Sequence, residues 1–234
     1  MPRTSKPLAQ FPRPSVAVDV VAMTVERGSL HVALYKRTEP PQKGQYALPG
    51  GFVRIDESLD DAAARLLAQK AGFQNVFLEQ LYTFGDVRCD PRGRVITVSY
   101  YALVDAARFD EKTCVDARLV VPWPGETGGP VDVVDATGTV LPLAFDHADI
   151  LGLAVKRLRG KLDYTPVGFQ LLPAEFTLRK LQEVHEAVRG DEVNKDSFRR
   201  RMLTAGLLEA TGARERDVLH RPAELYRFVK RSAV

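Results

Sequence analysis

The chain is poor in the residues that staple small secreted folds or gather soft metals. Only two cysteines occur among its 234 residues, Cys89 and Cys114, and no His or Cys stands at metal-ligand spacing. This argues against a disulfide scaffold, points to a reduced, cytoplasmic setting, and leaves the two thiols as packing or surface residues rather than a redox pair. No apolar run reaches the roughly 18 residues of a membrane span, so no membrane partner is expected. Residues 1–15 are polar and proline-rich and lack the apolar stretch of a secretory signal, so they are expected to form a disordered arm. A strong excess of either charge is also missing, since the net charge is only +3. Its placement is more informative: residues 164–234 hold 13 basic and 10 acidic side chains, so the whole excess lies in the C-terminal third.

The chain does contain ample apolar material. Hydrophobic residues make up 45% and charged residues 27%, enough to build a core in each of two domains. Residues 16–25 (VAVDVVAMTV) and 30–37 (LHVALYKR) read as strands joined by turn chemistry at Arg27-Gly28-Ser29. Residues 76–83 and 95–104 read as further strands, and 115–123 and 131–141 as short ones around a Gly/Pro-rich loop. Between them Ser58 is placed to cap a helix, Asp61 imitates a capping box, and Gly72 is placed to end it. Leu59, Ala62, Ala63, Leu66 and Leu67 give that helix one apolar face. Residues 146–160 are helical in pattern and end basic, and a boundary is expected at 162–166.

The pattern then changes. Thr177 is placed to cap a helix running to Val188, and Asn194 a second one over 195–205, ended by Gly206. Two short helices joined by a tight glycine-containing turn form a helix-turn-helix. Residues 207–210 and 223–229, flanking a polar turn at 211–217, read as a β-hairpin wing. The expected organisation is an arm (1–15), a ligand-binding domain (16–145), a linker helix (146–163) and a winged-helix domain (164–234).

The chemistry-bearing residues fall in two groups. Leu48-Pro49-Gly50-Gly51 precedes the first helix, and Gly51, Glu57, Arg65, Leu67 and Gly72 keep the spacings of the Nudix box. The stretch therefore resembles that family, which implies a mixed sheet sandwiched between helices in an α/β/α fold, and an α+β chain overall. Three positions depart from the pattern. Where the Nudix box carries glutamates, this chain has Leu66, Gln69 and Lys70. Positions i, i+3 and i+4 share a helix face, so three carboxylates there would gather a hard divalent cation to activate water and offset diphosphate charge. Leucine offers no ligand, and Lys70 puts a cation near where the metal would sit. No metal site and no metal-dependent hydrolysis are expected; hydrolysis of ADP-ribose or another nucleoside diphosphate derivative through carboxylates outside the box is the alternative.

A pocket without catalytic metal can still bind. Gly50 and Gly51 allow backbone amides to approach a phosphate. Arg37, Arg54, Arg88 and Arg92 are candidate diphosphate clamps, and Tyr82, Phe84 and Tyr100 candidate stacking surfaces, with surface and core roles as the respective alternatives. Glu57 and Arg65 are read either as part of the ligand site or as an ion pair holding loop to helix.

The second group is basic. The second helix of the helix-turn-helix carries Asn194, Lys195, Ser197, Arg199, Arg200 and Arg201, with Phe198 and Met202 on its inner side. A polar N-terminal end and an arginine run suit a helix entering the DNA major groove, with Thr177 on the preceding helix and Arg214, Arg216, His220 and Arg221 of the wing toward phosphates or the minor groove.

Together these motifs make the chain similar to the NrtR family, Nudix-related regulators of bacterial NAD metabolism. The likeness rests on Leu81-Tyr82-Thr83-Phe84-Gly85-Asp86, on Asp90-Pro91-Arg92-Gly93-Arg94, on Asn194-Lys195 with Phe198-Arg199-Arg200, on Gly206-Leu207-Leu208-Glu209, and on His220-Arg221-Pro222-Ala223 with Leu225-Tyr226-Arg227-Phe228. It implies a homodimeric repressor that binds a palindromic operator and senses ADP-ribose or a related NAD-derived nucleotide, with no cofactor. Some relatives instead regulate sugar catabolism.

Overall fold

The computed structural model describes residues 10–109, 113–162, 170–216 and 222–229. Most of the expected arm, most of the expected 162–166 boundary, and the wing residues His220 and Arg221 lie outside the described residues.

A mixed sheet organises the first part of the chain. Strands β1 (Ser15–Glu26) and β2 (Ser29–Lys36) form the expected hairpin. Two short strands follow, β3 (Tyr46–Ala47) and β4 (Gly50–Phe52), then β5 (Leu78–Phe84), β6 (Val95–Leu103), β7 (Val115–Val120) and β8 (Asp132–Val134). The order is β5-β6-β1-β2-β7-β8, with β3 on β2 and β4 on β1. β1 runs parallel to β6, and the other pairings are antiparallel.

β1 lies mid-sheet and is buried on both faces, which is why its sequence reads as an almost unbroken apolar run. Val18, Val20 and Ala22 face helix α1 (Leu59–Ala71), packing on Ala62, Ala63, Leu66 and Leu67. Val21, Met23 and Val25 face helix α2 (His147–Leu162), packing among Ile150, Leu151, Ala154, Val155 and Leu158. The α/β/α sandwich expected from the sequence is therefore present. α1 begins where its capping chemistry predicts: Ser58 Oγ accepts the Asp61 N–H at 3.1 Å, and Gly72 closes it with φ of +74°.

Two boundaries differ from expectation for local reasons. Of residues 131–141 only Asp132–Val134 forms a strand, because Asp135 Oδ1 accepts the N–H groups of Thr137 (2.8 Å) and Thr139 (3.0 Å) and turns the chain. β7 stops at Val120 ahead of Pro122 and Pro124, which have no N–H for a ladder. The buried face of α2, read from the sequence as a linker helix, covers the sheet and also meets α3.

The second part is the expected helix-turn-helix and hairpin. Helix α3 (Leu178–Arg189) is capped by Thr177, whose Oγ1 accepts the Lys180 N–H at 3.1 Å, and ended by Gly190 at φ +79°. Helix α4 (Lys195–Thr204) is capped by Asn194, whose Oδ1 accepts the Ser197 N–H at 3.0 Å. Strands β9 (Leu208–Arg214) and β10 (Glu224–Phe228) pair antiparallel, and Phe176 makes a single isolated antiparallel bridge to Tyr226. β9 runs through much of the expected 211–217 turn; the ladder absorbs Gly212 (φ +76°) by a register shift between Glu224 and Tyr226. Leu178, Leu181, Val184 and Val188 of α3, with Phe198 of α4 and Tyr226 of β10, join the same buried cluster that α2 forms on the sheet. Among the described residues no helix is long and apolar enough to cross a membrane.

Candidate functional site

β1 carries one charged residue in its buried stretch, Asp19. It shares a face with Val21 and Met23 and pairs with Gly50 of β4. A Cβ at Gly50 would lie 1.8 Å from Asp19 Oδ1 and 2.7 Å from the Val18 carbonyl oxygen, so only glycine lets β4 pass there. Gly51 is similarly tight, with a Cβ placed 3.0 Å from Leu66 Cδ2 of α1. The Gly-Gly strand thus threads between a carboxylate and the helix that follows it.

Above this crossing opens a cavity of about 220 Å³, lined among others by Asp19, Arg37, Gly50, Gly51, Lys70 and Arg92. Phe145, Asp146 and His147 close it from the start of α2, and Cys89 and Asp90 from the loop between β5 and β6. Arg37 holds the Pro41 carbonyl (3.0 Å) and lies 4.8 Å from the Phe145 ring. Arg92 forks onto Asp90, with bonds of 3.0 and 2.7 Å. Lys70 Nζ donates to the Tyr35 hydroxyl at 2.9 Å and sits 4.1 Å from that ring.

Burial sets the electrostatics. It lifts the Asp19 carboxyl to about 7, with Asp146 adding to the lift and Lys70 and Arg37 opposing it. It drives the His147 imidazole down to about 3, helped by Arg37 and Lys70. Neutral His147 accepts the Leu48 N–H on Nδ1 at 3.0 Å, which assigns its proton to Nε2, facing Asp19 Oδ2 at 3.8 Å. Burial and Asp146 push the Cys89 thiol up to about 12, so it is no nucleophile.

Of the residues read as ligand contacts, the cavity brings together Arg37, Gly50, Gly51 and Arg92. It does not include the others. Glu57 and Arg65 form a clasp: Arg65 Nε donates to Glu57 Oε2 (2.8 Å), Glu57 Oε1 accepts the Arg54 N–H (2.8 Å), and the Arg65 bond pulls the Glu57 carboxyl down to about 2. The clasp holds the β4–α1 loop to α1, which is the structural alternative for this pair. Tyr100 is buried under α1 with its hydroxyl on Asp60 (2.6 Å). Tyr82 is exposed and packs edge-on against Phe84, which leans on the α2-side core. Arg88 belongs to the Asp86 turn. Asp19, Tyr35, Asp146 and His147 were not anticipated; the one available signal was a lone aspartate inside an apolar strand.

A larger cleft of about 720 Å³ lies at the domain seam, between the 123–126 loop, Arg159 and α3. Glu126, Glu183, Glu186 and Glu192 line it, an unfavourable wall for an anion.

The basic face lies on the second domain. Lys195, Ser197, Arg199, Arg200 and Arg201 are exposed on α4, which buries only Phe198, against His185 at 5.0 Å. Arg214 and Arg216 are exposed on the wing, Arg214 donating to the Pro222 carbonyl (3.2 Å). Asn194 Oδ1 caps α4, and Thr177, the buried cap of α3, lines a cleft together with Lys195, Arg199 and Arg214. An exposed arginine-bearing helix after a tight turn, with a wing beside it, is arranged to meet a polyanionic duplex.

Comparison with known proteins bears on both parts. The family model of the NUDIX domain matches residues 13–120, and that of the NrtR DNA-binding winged helix domain matches residues 168–228. The chain is 36% identical to the ADPR responsive transcriptional repressor NtrR of Acinetobacter baylyi, over 94% of this chain and 84% of the relative. It superposes on Shewanella oneidensis NrtR complexed with a 27mer DNA with a TM-score of 0.73 at 35% identity, covering 91% of this chain and 93% of the other. The NUDIX domain of the Shewanella protein complexed with ADP ribose matches with a TM-score of 0.50 at 31% identity, covering 66% of this chain and 94% of that domain.

Proposed function

Because this chain belongs to the NrtR family, in which a Nudix domain is joined to a DNA-binding winged helix, we propose that it represses genes of NAD metabolism and is released from its operator by ADP-ribose or a related NAD-derived nucleotide. The observation that carries this reading is the selective loss around the cavity. The Gly50-Gly51 crossing, Arg37 and Arg92 remain at hand for a diphosphate, while the three positions that would gather a metal are leucine, glutamine and lysine. Such a cavity recognises a nucleotide without consuming it. A regulator needs that property, because a ligand destroyed on binding holds no state.

On this reading α4 enters the major groove with Arg199 and Arg200, and the wing follows the phosphates. The repressor is a two-fold dimer, because palindromic half-sites mirror protein symmetry. A mobility-shift titration with operator regions from the chain's own genomic neighbourhood is expected to show salt-sensitive binding that ADP-ribose weakens, with dimer mass by sedimentation. Release of AMP from ADP-ribose in magnesium buffer at enzymatic rates, without any duplex binding, would replace this reading by that of a hydrolase.

A further inference from the structure

The Nudix resemblance implies a divalent cation, and the residues of this cavity do not fit one. Leu66 is buried beneath Gly51 and carries no donor atom. The Gln69 amide oxygen accepts from Arg65 at 3.4 Å, within the clasp rather than the cavity. Among the described residues the only His, Cys, Asp or Glu trio with ligand atoms all within 4.8 Å is Glu26, His31 and Asp116, at the hairpin end of β1 and away from Asp19. Arg27 pairs with Glu26, and Arg118 stands opposite His31 in the sheet, so that trio is itself flanked by cations.

Lys70 occupies the vacated role. It sits in the last turn of α1, half-buried, with its ammonium on a neutral partner, the Tyr35 hydroxyl, and it forms no ion pair among the described residues. Arg92, by contrast, is paired with Asp90, and Arg37 donates to the Pro41 carbonyl and, at 3.5 Å, to the Tyr35 hydroxyl. Lys70 acts on Asp19 across the cavity without bonding to it, and a carboxyl lifted to about 7 is only a partial counter-charge for a half-buried ammonium, so a ligand anion supplies the rest.

We infer that Lys70 is the resident cation of the cavity, contacting the diphosphate of the ligand in place of a metal ion, so that nucleotide binding is independent of divalent cations. This rests on the reading of the cavity as a nucleotide site. It extends that reading by naming the group that replaces the metal and the condition under which binding survives.

The test is calorimetric titration of the full chain with ADP-ribose, in EDTA and in magnesium. Wild type is expected to bind with the same affinity in both buffers. Lys70→Gln is expected to weaken binding about tenfold to a hundredfold in both, the worth of one charge-assisted bond. Lys70→Arg keeps the charge and is expected to recover most of the loss. Far-UV circular dichroism and operator binding, which do not involve Lys70, verify that each variant is folded. Wild-type binding that needs magnesium, or a Lys70→Gln variant that binds as tightly as wild type, overturns the inference while leaving the nucleotide site standing. Absence of wild-type binding in either buffer overturns the nucleotide reading itself, and the role of Lys70 with it.

Discussion

Arg159 is the residue whose removal tests the coupling of the two halves most directly. It stands in the last turns of α2, is 9% exposed, and has no carboxylate on its guanidinium among the described residues. Its Nε donates to the Val188 carbonyl of α3 at 2.8 Å, and its Nη1 to the carbonyls of Gly125 at 2.8 Å and Trp123 at 3.2 Å. The plane lies 4.9 Å from the Trp123 ring. Arg159→Met keeps the apolar stem and removes all three bonds. A bond from a charged donor is worth about 1.5–3 kcal/mol and an orphaned buried carbonyl costs about 1–3 kcal/mol. Guanidinium desolvation, relieved in the variant, offsets much of that sum and leaves a net loss of about 2–4 kcal/mol. For a chain of this length that lowers Tm by about 4–16 °C. Thermal melts by circular dichroism measure the loss, and native-state hydrogen exchange at the α3 amides locates it. A loss below about 0.5 kcal/mol, or α3 protection equal to wild type, would show that the apolar seam alone joins the halves and that Arg159 is incidental.

The cavity makes a second prediction, from opposed titrations. Asp19 is raised to about 7, so on its own it stabilises the fold fully below pH 4 and loses that contribution as pH rises toward 7. His147 is lowered to about 3, so its contribution is present above its unfolded value of 6.5 and is lost as pH falls toward 3. The two slopes cancel over much of the range between 4 and 6.5 in the wild type. Asp19→Asn leaves the His147 slope alone, so urea midpoints are expected to climb with pH across that window; midpoints that stay flat would show that the pair does not titrate as described. On the DNA side, Arg214→Ala and Arg216→Ala on the wing are each expected to lower the magnitude of the log affinity against log salt slope by about one, measured by fluorescence anisotropy with an operator duplex. An unchanged slope would move the wing off the phosphates.

Much of this was legible in the residues. Ser58, Gly72, Thr177, Gly190 and Asn194 fixed helix ends because caps are local chemistry, readable without tertiary context. β1 was legible from its β-branched run, and β2 from the turn at Arg27-Gly28-Ser29 that makes it the second arm of a hairpin. The cavity was only half legible. Gly50, Gly51 and Arg92 belong to recognisable motifs and Arg37 was a candidate by its charge alone, whereas Asp146 and His147 arrive from residues far along the chain, brought in by the packing of α2. Nothing local in Phe145-Asp146-His147 says that it will face Asp19. Glu57 and Arg65 show the converse: a motif can be kept for the clasp it makes, and motif membership alone does not place a side chain in a pocket.

That helix has a mechanical consequence. Its first residue, His147, is a wall of the cavity, and Arg159 near its other end grips the helix-turn-helix. Sixteen residues at about 1.5 Å each make a lever of about 24 Å. In the proposed two-fold dimer, a tilt of about 5° at the His147 end would displace the far end by about 2 Å and part the two DNA-reading heads by about 4 Å. One base pair of duplex spans about 3.4 Å, so that stroke is enough to put two heads out of step with an operator of fixed pitch.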